Sequence, residues 1–299
     1  MIFAAFFVSG RFFSSMNEER QFDYLVIGDP VAHSRSPQMQ NAAFEAAGLG
    51  RPYGKLRVDP ARIGEFADYA RKNLKGVNLT VPHKQVILPF VDEFSPRAAA
   101  CQSVNTLKIV EGKIYGYSTD GAGISGAVKE NFGLALKGLN VLMLGAGGAA
   151  TAIAFELGWQ QSASVIIANR SVDKAQALVD KVKVHAPETL MSAIPLAEEG
   201  ALAAAVANAD LLLQVTSLGL HDEDPAPMDL ELLELNPALR VFDAIYRPTP
   251  LLKRAALLGL PAADGREMLI YQGAASFEIW TNIKPSIDAM RRGYAEYGE

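Results

Sequence analysis

Val141-Leu142-Met143-Leu144-Gly145-Ala146-Gly147-Gly148-Ala149-Ala150 runs from an apolar stretch through a glycine cluster into small helix-forming residues. The apolar stretch reads as a buried strand, the glycines as a tight turn, and the alanines as the start of a helix. A strand, glycine turn and helix in that order hold a pyrophosphate on a helix N-terminus, where unpaired backbone N–H groups and the helix dipole both favour an anion. Gly145, Gly147 and Ala150 satisfy the Gly-x-Gly-x-x-Gly/Ala spacing. The spacing alone is weak, because ordinary strand–helix turns also carry glycines. Its position says more: it begins near the middle of a 299-residue chain, so a large upstream region must serve the nucleotide's purpose.

That length allows two domains and a large core. With 49% hydrophobic and 20% charged residues the composition is that of a soluble globular protein. The net charge of −5 gives no reason to expect nucleic acid as a partner. Cys101 is the only cysteine, so an internal disulfide and a cysteine-built metal site are excluded. His33, His83, His185 and His221 are scattered without ligand spacing, and no metal is expected. A reducing cytoplasm fits this cysteine usage. Ile2–Val8 is apolar, but no basic residue precedes it and it is too short to span a bilayer, so no membrane is expected. The first twenty residues read as an extension outside the fold, with Met16 as a second candidate start; a signal or transit peptide is the alternative.

Upstream of the glycine turn, Phe22–Ile27 reads as a strand, and Ser36 as the N-cap of a helix with Pro37 at its first helical position and Gly48 closing it. Ala61–Lys72 is a second helix, Gly76–Val81 a strand stopped by Pro82, and His83–Phe90 a short helix. Ser95-Pro96 opens another helix, and Val104–Val110 and Lys113–Tyr117 flank a Glu111-Gly112 hairpin turn. Gly123–Asn131 is helical. Strands are then expected at Asn140–Leu144, Ser164–Ala168, Ala209–Val215 and Leu239–Ile245, with helices near Ala149–Leu157, Val172–Val182 and Pro250–Leu258. This alternation implies a parallel sheet covered on both faces. Met268–Met290 reads as one or two further helices that return to the first domain.

The second nucleotide-domain strand ends in Asn169-Arg170-Ser171, with Lys174 following. A carboxylate at this tip ordinarily holds the adenosine ribose, and none is present. Arg170 and Lys174 suit a 2′-phosphate, which a guanidinium binds by paired, charge-assisted hydrogen bonds. NADP(H) is therefore favoured over NAD(H), although Asp173 counts the other way and a solvated helix start would look similar. In the first half, polar residues gather where strands end. His33-Ser34-Arg35-Ser36-Pro37 offers two hydroxyls beside a helix start, which can hold a carboxylate or simply cap and turn the chain. Asn78 and Thr80 share a strand face, Lys84 follows the proline break, and Asn105 and Asp120 lie in Ser103–Thr106 and Ser118–Gly121. Each alone is an ordinary turn or surface residue.

Taken together these motifs resemble those of the shikimate dehydrogenases and the related quinate/shikimate dehydrogenases. The resemblance runs from about Phe22 to near the C-terminus. It rests on Gly28–Pro37, Asn78–Lys84, Val104–Thr106, Ser118–Gly121, Gly145–Ala149, Asn169–Ser171 and Gly265–Gln272, in that order. It implies an α/β fold of two domains: an N-terminal α/β substrate domain (21–122 with about 270–299) and a Rossmann-type doubly wound NADP-binding domain (123–269). Ser34 and Ser36 would bind the substrate carboxylate, and Thr80, Asn105 and Gln272 its ring hydroxyls, with Tyr246 adding a hydrogen bond. Lys84 and Asp120 would be the catalytic pair at the reacting oxygen. Gly145, Ala146, Gly147, Gly148 and Ala149, then Asn169, Arg170, Ser171 and Lys174, and finally Gly265 and Met268 would hold the cofactor, NADP.

Hydride transfer to a ketone leaves an alkoxide that must gain a proton, and a lysine can both donate it and stabilise the charge. A lysine beside a carboxylate stays protonated, so Lys84 is expected to act as an acid or an electrostatic anchor in the reductive direction. The implied activity is NADP-dependent reduction of 3-dehydroshikimate to shikimate in aromatic amino-acid biosynthesis, by a monomer or homodimer. The alternatives are a quinate/shikimate enzyme using NAD or both cofactors, and a non-catalytic sensor of shikimate or a nucleotide. The chain departs from the family pattern at Ser118 (usually asparagine), at Gln214 of Gln214-Val215-Thr216 (often Asn-x-Thr), at His83 (more often phenylalanine or asparagine) and at Glu267 (often glycine).

Overall fold

A computed structural model describes residues 22–50 and 52–296. The extension expected over residues 1–20 lies outside the described residues. The chain divides into two compact units, one running to Thr119 and resuming at Gly273, the other Asp120–Gln272.

In the first unit β1 (Tyr24–Gly28) leads to helix α1 (Ser36–Ala46), β2 (Tyr53–Arg57), α2 (Ile63–Asn73), β3 (Gly76–Leu79), the single turn α3 (His83–Val86), β4 (Glu93–Phe94), α4 (Pro96–Cys101), β5 (Thr106–Val110) and β6 (Lys113–Tyr117). The strands form one sheet in the order β2-β1-β3-β5-β6-β4. β1 pairs parallel with β2 and β3, and β5 runs antiparallel to β3 and β6. Successive side chains of a strand point to opposite faces. Leu25 and Ile27 therefore enter a core with Phe66, Ala70, Val77, Leu79, Ile87, Leu107 and Ile114. Tyr24 turns the other way and stacks on Phe44 and Trp280 at 4.7 and 5.0 Å. The hairpin turn falls where expected. Glu111 and Gly112 both take positive φ (51° and 75°), the backbone that closes a two-residue hairpin with the right twist.

One cap differs from expectation. Arg35, not Ser36, occupies the N-cap of α1 and makes no side-chain cap bond. The Ser34 hydroxyl instead accepts the Ser36 N–H at 3.3 Å, so the turn is closed one residue earlier and Ser36 becomes the first helical residue, buried.

The second unit runs α5 (Asp120–Phe132), β7 (Asn140–Leu144), α6 (Gly148–Trp159), β8 (Ser164–Asn169), α7 (Val172–His185), β9 (Leu190–Pro195), α8 (Glu199–Asn208), β10 (Leu211–Gln214), β11 (Arg240–Asp243), α9 (Pro250–Leu257), β12 (Ala262–Ala263) and α10 (Arg266–Thr281). The division between the units falls inside α10, and α11 (Ile287–Ala295) packs on α1 in the first unit. The sheet is parallel in every pairing, in the order β12-β11-β10-β7-β8-β9. Read from β9, this is the 3-2-1-4-5-6 order of the dinucleotide-binding fold, with the reversal point between β7 and β10. Ala150–Gly158 of α6 are all buried, so this helix shows no polar stripe. No helix among the described residues is long and apolar enough to cross a membrane.

Candidate active site

The candidate residues of the first unit sit at one edge of its sheet, after the C-terminal ends of β1 and β3 and, for Asn105, just before the start of the antiparallel β5. Gly28 ends β1 and Thr80 follows β3. The two approach so closely that a Cβ on Gly28 would stand 2.4 Å from the Thr80 methyl. Ser34 is half-buried and Ser36 buried, at the start of α1. Lys84 is half-buried on α3, and its carbonyl accepts the Val104 N–H at 2.9 Å, one residue before Asn105. Asn105 is buried: its Oδ1 accepts the Thr119 N–H at 2.8 Å and its Nδ2 donates to the Thr119 hydroxyl at 2.9 Å.

Beneath this surface lies a buried polar network. The Tyr53 hydroxyl donates to Asn78 Oδ1 at 2.7 Å, and Asn78 Nδ2 donates to the Ser276 hydroxyl at 3.0 Å. Ser276 Oγ lies 2.8 Å from Thr106 Oγ1, and Thr106 Oγ1 is 3.4 Å from Thr119 Oγ1. Burial pushes the Tyr53 phenol well above its ordinary range, so it stays a neutral donor. Tyr53, Thr106, Thr119 and Ser276 were not legible as site-supporting residues in sequence, because each is a common residue whose partners are distant in the chain.

In the second unit the candidates again follow strand ends. Gly145 takes a φ of +112°, and a Cβ there would meet the Thr216 methyl at 2.9 Å. Gly147 and Gly148 have nothing within 4 Å of where a Cβ would stand, which leaves open space before the first N–H groups of α6. Ala146 and Ala149 are half-buried beside them. β8 runs next to β7, and Gly145 N–H donates to the Ala168 carbonyl at 2.9 Å. This places Asn169, Arg170 and Ser171 beside the glycine turn. Arg170, Ser171 and Lys174 are exposed, and Asn169 Nδ2 closes the turn on the Ser171 carbonyl at 2.8 Å.

Beyond β10 and β11 lie Tyr246, exposed, and Gly265, which packs on backbone: a Cβ at Gly265 would stand 2.1 Å from the Ala244 carbonyl oxygen. Met268 is buried on α10, and Gln272 Nε2 donates to the Leu269 carbonyl at 2.8 Å. Gly123 admits this helix, since its Cβ would meet the Met268 carbonyl at 2.8 Å and Gln272 Cβ at 2.9 Å. Asp120 is buried as the first residue of α5, where a carboxylate suits the positive end of the dipole. The structure thus gathers Ser34, Ser36, Thr80, Lys84 and Asn105 onto strand ends of one unit. It gathers the glycine turn, Asn169–Ser171, Tyr246 and Gly265 onto the strand ends of the other. No group of three or more metal-binding side chains occurs among the described residues.

Three family models match this chain. They are the shikimate dehydrogenase substrate binding domain over residues 26–107, shikimate / quinate 5-dehydrogenase over 127–219, and the shikimate 5'-dehydrogenase C-terminal domain over 265–292. A shikimate dehydrogenase (NADP(+)) of Geobacter sp. is 39% identical over 276 residues, covering 90% of this chain and 93% of that protein. The chain belongs to the shikimate dehydrogenase family. Among solved structures, the shikimate 5-dehydrogenase of Thermus thermophilus in complex with NADP(H) and shikimate is 34% identical with a TM-score of 0.81, covering 92% of this chain and 99% of that one. The quinate dehydrogenase of Corynebacterium glutamicum in complex with NAD is 28% identical with a TM-score of 0.83, covering 92% and 99%.

Two departures from the family pattern acquire a structural account. His83 is wholly buried and lies 2.8 Å through Nε2 from the Val58 carbonyl, which can only accept, so Nε2 carries the proton. Its Nδ1 has no partner, and burial pushes the imidazole below its ordinary value, leaving a neutral ring tethered to Val58 one residue before Lys84. Gln214, also wholly buried, reaches across to Asp243 on the neighbouring strand.

Proposed function

We propose that this protein is an NADP-dependent shikimate dehydrogenase, reducing 3-dehydroshikimate to shikimate in the shikimate pathway of aromatic amino-acid biosynthesis, and running reversibly. The observation that carries the reading is the open glycine turn at the reversal point of the second unit's sheet, with Arg170 and no carboxylate at the adjacent strand tip. In this reading the first unit holds the substrate and the second the dinucleotide.

The residues fit a phosphorylated dinucleotide. Backbone N–H groups of Gly147, Gly148 and Ala149 would take the pyrophosphate, in space that side chains at the two glycines would fill. Arg170 and Lys174, with the Asn169–Ser171 turn, would take the 2′-phosphate. Gly265 and Met268 would bound the nicotinamide end. When bound, this cofactor supplies the hydride.

The remaining work falls to side chains. Ser34 and Ser36 would donate to the substrate carboxylate at the start of α1, where the dipole adds to the attraction. Thr80, Asn105, Gln272 and Tyr246 would orient the ring hydroxyls. Lys84 would deliver the proton that the reacting oxygen needs as it becomes an alcohol, and Asp120 would accept the hydrogen bond from that oxygen's hydroxyl in the reverse direction. A monomer or homodimer in the cytoplasm completes the reading; the lone cysteine, Cys101, fits the reducing compartment.

Absorbance at the reduced-nicotinamide band tests it, with shikimate and quinate each offered with NADP and NAD. The highest kcat/KM is expected for shikimate with NADP. A quinate or NAD preference would move the protein to the quinate/shikimate alternative, and no turnover with either substrate would overturn the enzymatic reading. Lys84→Ala should lose most turnover while still binding shikimate; near-normal turnover would remove Lys84 from the mechanism.

A further inference from the structure

Asp243 ends β11 with no solvent exposure, opposite Gln214 at the end of β10. Its Oδ2 accepts from the Thr249 hydroxyl at 2.7 Å, and its Oδ1 accepts from the Ile245 N–H at 3.0 Å and from Gln214 Nε2 at 3.4 Å. Gln214 spends its other bonds on the loop that follows β10: Oε1 accepts the Thr216 N–H at 2.6 Å, and Nε2 donates to the Leu218 carbonyl at 2.9 Å. Thr216 then caps Leu218 N–H at 3.1 Å. The two loops also meet in packing, since a Cβ on Gly219 would stand 2.7 Å from the Thr249 methyl. Outside, Arg247 donates to the Leu220 carbonyl at 2.8 Å and pairs with Asp222. The third loop joins through Gly265, whose N–H donates to the Ile245 carbonyl at 3.2 Å.

Three loops that leave the C-terminal ends of β10, β11 and β12 are therefore tied to one buried amide–carboxylate pair. These strand ends lie across the reversal point from Arg170, on the side where a dinucleotide lying along the sheet's C-terminal edge places its second ring. We infer that Gln214 and Asp243, with Thr249, are positioning residues: they fix the loops bearing Thr216, Tyr246 and Gly265, and so set the distance over which hydride moves, without touching cofactor or substrate. This rests on the dehydrogenase reading above. A leucine at position 214 has nearly the reach of glutamine but no amide, so it cannot make the bonds to Thr216, Leu218 and Asp243 and the loop after β10 loses its tie. A small displacement of reacting atoms is costly, because a shift of about 1 Å can slow a reaction ~100-fold.

The test uses the full-length enzyme with shikimate carrying deuterium at the carbon that gives up hydride. Gln214→Leu and Thr249→Val are expected to lower kcat roughly ten- to a hundred-fold and to raise the primary isotope effect on kcat, while Kd for NADP stays unchanged. Thr249→Ser, which keeps the hydroxyl, should restore most of the rate. The double variant should be no slower than its slower single, because both break one framework. Wild-type kcat in the folded single variants, an unchanged isotope effect alongside a lost rate, or losses that multiply in the double variant would each overturn the inference. Loss of cooperative unfolding in both single variants would assign the pair to the core alone and overturn it equally. If the wild type itself turns over neither shikimate nor quinate, the dehydrogenase reading falls first and carries this one with it.

Discussion

The Tyr53 hydroxyl donates a 2.7 Å hydrogen bond to Asn78 Oδ1 inside the first unit, and neither residue is more than 6% exposed. The same asparagine uses its amide to reach Asn105, Thr106 and Ser276. Tyr53→Phe removes one donor and leaves a buried carbonyl unsatisfied, which costs about 1–3 kcal/mol. Denaturant unfolding should show a loss of that size with an unchanged m-value. If Asn105 takes its orientation from this network, KM for shikimate rises as well while Kd for NADP does not move. A Tyr53→Phe protein with wild-type stability and KM would show that the network does neither.

Asp243 sets a pH dependence of stability. Burial, acting before any neighbouring charge, pushes its carboxyl from 3.8 up to about 6, against hydrogen bonds from Thr249 and Ile245 that pull it down. A raised folded value means that the folded state holds this proton more tightly than the unfolded chain. The stabilisation is complete below pH 3.8 and is lost as pH rises through about 6, a change of roughly 3 kcal/mol. Asp243→Asn cannot ionise, so its stability relative to wild type should improve by about that amount between pH 4 and pH 7. Whatever fixed cost the amide brings cancels in the slope. Parallel stability–pH curves for the two proteins would contradict the assignment.

How much of this could be seen in the sequence follows from what each element buries. β7 is covered on both faces and reads as a continuous apolar run; its expected limits, Asn140–Leu144, are the observed ones. β9 escaped notice because it is an edge strand: Leu190 is 73% exposed and the strand ends on Pro195, so neither alternation nor an apolar run appears. β12 has only two residues. The polar residues at strand ends stood out because they interrupt apolar runs. The Thr106–Ser276 contact joins residues 170 positions apart, and the Gln214–Asp243 contact needs the β10–β11 register before it exists at all.

The glycines proposed to meet the cofactor should separate by role. Gly265 and Gly145 face backbone and a packed methyl, and Gly145 also has positive φ, so Gly265→Ala and Gly145→Ala must displace the chain. Both are expected to lower Tm. Gly147→Ala meets nothing in the folded protein, so Tm should hold while the new methyl occupies the space before α6 and weakens NADP binding. Thermal melts with and without NADP distinguish the cases. A Gly147→Ala protein still stabilised by NADP to the wild-type extent would move the pyrophosphate away from this turn.

Arg170 offers the sharpest check on cofactor choice, because its side chain is exposed at the tip of β8 and its removal disturbs no packing. A charged hydrogen bond to a 2′-phosphate contributes about 1.5–3 kcal/mol, which is roughly a ten- to hundred-fold change in affinity. Arg170→Ala should therefore raise KM for NADP by that factor and leave kcat, Tm and the KM for NAD nearly unchanged. The effect should shrink as salt is added, since an exposed pair is screened over a Debye length of about 10 Å at 0.1 M. Lys174→Ala should act in the same direction but less, because an ammonium meets the phosphate as a point charge without the paired geometry of a guanidinium. Equal losses with NADP and NAD would mean that Arg170 serves the turn and not the 2′-phosphate, and the preference for NADP would then have to come from elsewhere on the strand ends.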